Sequence, residues 1–149
     1  MTKTILAVVV FAGAASLAAC ASLEEEAVGA TSKTYHAVML GSNEVGGGDP
    51  DGSGRAEVSI GKAFDQVCYE LNDLNGLDTV TAVHIHFGKA GVNGAPVLTL
   101  TQSNQGRWQG CKNGSEWAQN RLQGNPQDFY VNVHTTAFPG GAIRGQLVD

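Results

Sequence analysis

Ala82-Val83-His84-Ile85-His86-Phe87 repeats its hydrophobic pattern every two residues, which is the period of a β-strand. Successive strand side chains point to opposite faces. Val83, Ile85 and Phe87 therefore belong to a core, and His84 and His86 project side by side from the other face. Two imidazoles on one face of a rigid strand form a ready pair of metal ligands. The plainer alternative is a pair of surface histidines on a half-buried strand.

A second stretch follows the same rule. From Asp128 to His134, the residues Phe129, Val131 and Val133 share one face, while Tyr130, Asn132 and His134 share the other. Near the C-terminus, Gly141–Val148 sends Ile143 and Leu147 inward and Arg144 and Gln146 outward. His84, His86, His134 and Arg144 thus all lie on the side away from the core. Further strands are expected over Tyr35–Leu40, Arg55–Ile60, Gln66–Asn72, Pro96–Leu100 and Gly106–Gly110, with turns at the Gly-rich 41–54 stretch, at 61–65 and at 88–94. His36 shares a side with Val38 and Leu40, a register typical of a packed or rim histidine. One short helix is expected over Ser115–Leu122, with Ser115 as its N-cap and Trp117 as a core plug. The expectation is an all-β, antiparallel, Greek-key-like sandwich or barrel. Its ligand site would lie outside the barrel, under loops.

The whole chain supports that class. Its 149 residues suffice for one domain, and 20 glycines suit short strands joined by tight turns. A formal charge of −5, with no basic run, argues against nucleic acid as a partner. Lys3 followed by the apolar run Ile5–Ala15 has the anatomy of an export signal and is too short to span a bilayer. Leu17-Ala18-Ala19-Cys20 resembles a bacterial lipobox, which makes residues 1–19 a signal peptide and Cys20 the lipidated first residue. Ala21 resembles a signal for sorting to an outer membrane. Residues 20–34, with Glu24-Glu25-Glu26, read as a solvated tether, and 35–149 as the domain. The protein is therefore expected to be exported and anchored to a membrane through Cys20, on its periplasmic or cell-surface side. With Cys20 acylated, Cys68 and Cys111 remain as an even pair in an exported domain, which favours a disulfide over metal ligation. Asp49-Pro50-Asp51-Gly52-Ser53-Gly54 lacks the ligand order of a calcium loop and reads as a turn. The sequence carries no signal for an oligomeric state.

Glu44-Val45, Ala82–Gly88, Gly91-Val92-Asn93-Gly94, Tyr130–Thr135 and Gly140–Leu147 together resemble the CHRD (chordin-type) domain, from about Tyr35 to the C-terminus. Glu44-Val45 is followed by Gly46-Gly47 where that family usually has prolines. The layout also resembles copper/zinc superoxide dismutase. That resemblance implies a superoxide-dismutase-like fold and assigns His84, His86 and His134 to copper and Arg144 to the active-site arginine. The zinc half has no counterpart, since only His36 is left over, so the implied cofactor is a single copper ion without zinc. Three neutral imidazoles with an open position suit copper cycling between its two oxidation states. They also suit zinc, although no Asp or Glu stands near the motif to act as a base. The function expected is a membrane-anchored, copper-only superoxide dismutase acting on superoxide. The alternatives are a copper-storage or delivery protein without catalysis, and an interaction module that holds no metal.

Overall fold

The structure is a computed structural model that describes residues 32–61, 66–113 and 121–149. The expected signal peptide, Cys20, the tether up to residue 31, the tip of the 61–65 turn and most of the expected 115–122 helix, Trp117 included, lie outside those residues.

Eight strands form one antiparallel sheet: β1 Ser32–Leu40, β2 Ser53–Gly61, β3 Gln66–Asn75, β4 Val80–Phe87, β5 Ala95–Leu100, β6 Gln109–Asn113, β7 Phe129–Thr135 and β8 Ile143–Gln146. Their order is β5-β4-β7-β8-β1-β2-β3-β6. The sheet curls into a nearly closed barrel around one apolar core. Across the open seam, the Tyr69 hydroxyl of β3 donates to the carbonyl of Thr101, just past β5, and accepts from its N–H, each at 3.0 Å. Around the ring, the β3–β4 connection passes over β6 and β5, and the β6–β7 connection passes over β5 and β4. Hairpin-linked strands with such returning connections are Greek keys.

The core follows from alternation. Tyr35, Ala37 and Met39 of β1, Val58 and Ile60 of β2, Val83 and Ile85 of β4, and Val131 and Val133 of β7 are all buried. The side that His36 shares with Val38 and Leu40 is the outer one. Val38 is 59% exposed, and His36 Nδ1 lies 3.7 Å from the Glu57 carboxylate.

Most strand limits differ from expectation by a residue or more; β3, for example, runs on to Asn75 and β8 covers only Ile143–Gln146. β1 begins at Ser32, because β2 continues far enough to pair Ser32 with Gly61 and Lys33 with Ile60. Residues 32–34 therefore belong to the sheet and not to the tether. β6 runs over Gln109–Asn113 instead of Gly106–Gly110, because Cys111 stands directly opposite Cys68 on β3. The two cysteines form the expected disulfide, and an even pair so bonded fits an exported protein.

Candidate metal centre

Strand register places the histidines. On the β4–β7 ladder His84 stands opposite Asn132, His86 opposite Tyr130 and Ala82 opposite His134. On the β7–β8 ladder Asn132 stands opposite Arg144 and Tyr130 opposite Gln146. Directly paired residues share a face, so these side chains gather on the outer face of β4, β7 and β8. The expected trio meets there, with ligand atoms of His84, His86 and His134 all within 4.8 Å of one another.

The hydrogen bonds decide which atoms are available. Nδ1 of His86 lies 2.9 Å from the carbonyl of Gly94, and Nδ1 of His134 lies 3.0 Å from the carbonyl of Pro139. A carbonyl can only accept, so each Nδ1 carries its proton and each Nε2 keeps a lone pair. Those two Nε2 atoms and Nδ1 of His84 are buried and have no hydrogen-bond partner. Orphaned buried polar atoms are rare and costly. A ligating imidazole whose other nitrogen is fixed by a carbonyl is the usual arrangement around a metal ion. Burial, followed by the proximity of His134 and His86, lowers the pKa of His84. Burial also lowers that of His86; the Gly94 bond works against it, and the nearby His134 and then Arg144 add to it. Both shifts favour the neutral ring, the form that ligation requires.

Two loops carry the carbonyls. The 88–94 turn is tight, and a Cβ at Gly94 would fall 1.7 Å from the Phe87 carbonyl oxygen, so only glycine fits. The 136–141 loop closes through the Thr135 hydroxyl, which accepts from Phe138 N–H at 3.1 Å. A third loop, leading out of β1, brings in Glu44.

Arg144, expected to face outward, is 2% exposed. Its strand does turn it away from the core, but the loops fold over it. Nε donates to the carbonyl of Asn43 (2.9 Å), Nη1 to that of Val92 (3.1 Å) and Nη2 to Oδ1 of Asn93 (3.2 Å). Its guanidinium carbon lies 4.4 Å from the centroid of the Tyr130 ring. It forms part of the floor of a cleft between the Glu44 loop and the 88–94 turn, with Asn43, Val45 and Ala90 around it.

Glu44, Asn132 and Tyr130 belong to the site without having been singled out for it by sequence. The Glu44 side chain is almost fully enclosed, 3.7 Å from Arg144 Nε, and accepts from Asn132 Nδ2. Burial raises its pKa, against the pull of Arg144 and Asn132. The Tyr130 ring stacks on His86 with centroids 4.8 Å apart and planes 9° from parallel. The available signals were faint. Tyr130 and Asn132 share the histidine face of β7, and Gly46–Gly48 after Glu44 give a chain that can fold close.

The model of the CHRD domain family matches residues 35–147, and the chain belongs to that family. Comparison with curated proteins and with solved structures gives no match.

Proposed function

We propose that this CHRD protein is exported, is anchored through a lipidated Cys20, and holds a single copper ion on His84, His86 and His134, which it uses to dismute superoxide. Two observations carry the reading together: the three rings bring ligand nitrogens within 4.8 Å of one another, and each ring has one buried nitrogen without a partner. Imidazole suits copper, zinc, iron and nickel alike. No Asp, Glu or Cys joins the cluster among the described residues, which disfavours a hydrolytic zinc site with a carboxylate base. The choice of copper among them rests on the resemblance to the copper histidines of the dismutases. His36 lies apart from the cluster, on β1 beside Glu57.

Bound there, copper supplies the one-electron exchange that takes one superoxide to dioxygen and the next, with two protons, to hydrogen peroxide. The chain's own part is positional. Gly94 and Pro139 hold two rings with their lone pairs turned inward, and the loops keep bulk water from the three nitrogens. A second reading, copper held without turnover, is favoured by one observation. Arg144 is buried, and each of its nitrogens is bonded to a loop, so it is not poised to receive an anion.

One experiment separates these readings: copper and zinc quantitation on the disulfide-intact protein, followed by superoxide decay with the copper-loaded form. The expected result is one copper per chain and decay well above that given by free histidine-bound copper. Stoichiometric copper with no such excess leaves the holding protein. No bound metal removes both copper readings.

A further inference from the structure

Resting on the reading of the cluster as a metal site, we infer that Arg144 is a positioning residue that fixes the tautomer and bearing of His86 through the 88–94 turn, and not the group that receives the anion. The contacts run in sequence. Arg144 holds Val92 by its carbonyl and Asn93 by its side chain. The next residue, Gly94, presents its carbonyl to His86 Nδ1. The N–H of Gly94 donates to the Tyr130 hydroxyl at 3.2 Å. The Tyr130 ring is itself packed against His86 from β4 and against Arg144 from β8. The loop beside it is tied down as well, since Asn43 Nδ2 donates to the Arg144 backbone carbonyl at 3.0 Å, and Glu44 balances the guanidinium's charge.

Three acceptors lie around one planar cation, and only a guanidinium reaches them all at once. An ammonium at this position is a single point with different reach. Freed of these bonds, the turn gains conformations in which the Gly94 carbonyl leaves Nδ1. His86 then exchanges between its two neutral tautomers, one of which places a proton on the nitrogen needed for the metal. Partners that orient a ligating histidine in this way typically contribute about 10–100-fold in metal affinity. His134 takes its orientation from Pro139, in a different loop, and serves as the internal control.

The test uses nitrogen-15 NMR of the histidine rings in the metal-free, disulfide-intact protein, at one pH where the rings are neutral. Wild type is expected to show His86 with Nδ1 protonated and Nε2 bare. In Arg144→Gln the His86 signals should move toward a mixture of tautomers while those of His134 stay put. Affinity for Cu(II), and separately for Zn(II), measured by chelator competition, should fall about 10–100-fold, with Arg144→Lys between wild type and Arg144→Gln. Tyr130→Phe, which removes the hydroxyl from Gly94 and keeps the ring, should move His86 in the same direction to a smaller extent. It serves also as the test if Arg144→Gln does not fold. An Arg144→Gln protein with unchanged tautomer and affinity, but slower superoxide decay, would overturn the inference and return Arg144 to the anion. Because the tautomer is read without metal, a wild-type chain that bound no copper would defeat the proposed function and still leave the coupling of Arg144 to His86 measurable.

Discussion

On β1 and β2 the face away from the core is wet, whereas on β7 and β8 it is a second interior. Along β1 buried and exposed residues alternate, and His36 sits in the open beside Glu57. Along β7 every residue but His134 is buried, and on β8 Arg144 is buried as well. The two halves are built from the same alternating pattern, and the difference lies in the loops laid over one of them. Polar groups under those loops need partners. Asn132, Arg144 and the Tyr130 hydroxyl have them, and three imidazole nitrogens do not. What marks a site here is thus the unmet hydrogen bond among met ones, and not the histidines as such.

The largest expected effect tests whether the halves are independent. The disulfide joins β3 to β6, on the half without the histidine cluster, across a sequence separation of 43. Replacing both cysteines by serine should lower stability to urea by about 4 kcal/mol on the chain-entropy estimate. The folded variant should bind copper as wild type does. A matching loss of copper affinity at low urea would show that the bridge shapes the site and would break the comparison.

Next in size is the contrast between histidines. His134→Ala should weaken copper binding by more than about 100-fold, beyond the range for outer-sphere partners, while His36→Ala should leave it unchanged. Chelator competition on the two variants reads this directly. Equal losses would place His36 in the site.

The smallest effect is a pH dependence. In the metal-free protein the folded pKa values of His84 and His86 lie below the usual 6.5, chiefly through burial. Below that value the unfolded chain takes up protons that the folded site resists. The corresponding stability is complete above about pH 6.5 and is lost as pH falls through the depressed folded values. Urea unfolding at pH 7.5 and at lower pH should therefore show a steeper loss for wild type than for a His84→Ala, His86→Ala protein. Taking the difference between the two proteins cancels the contribution of Glu44, whose raised pKa acts with the opposite sign. Parallel curves would mean that the cluster is wetter than its geometry indicates.

Legibility in the sequence followed the same division. Strand β4 was readable in its facing, because Val83 and Ile85 alternate with His84 and His86 and no glycine interrupts them; Phe87, expected in the core with them, is instead 43% exposed at the strand's end. The meeting of His84, His86 and His134 was readable too, since each strand's apolar residues decide which face the histidine takes. The coverage of that face was not. Alternation says that Arg144 points away from the core, but loops from three places in the chain decide whether water waits there. Glu44 was missed as a partner for the same reason, since a single glutamate in a Gly-rich loop has no period. β6 was misplaced because its position depends on Cys68, more than forty residues earlier, and not on its own composition.

The disulfide has one more consequence. Cys68 and Cys111 close the chain into a ring, and that ring contains the whole β4–β5 hairpin, hence His84 and His86. His134 lies outside it, on the C-terminal tail of the chain. An ion shared by the three would therefore clasp a covalent ring to a strand outside it, beside the hydrogen bonds that already pair β7 with β4. It would fasten to that ring a stretch that the bridge leaves outside it. Loading would then show first as protection of the segment after Cys111 from proteases.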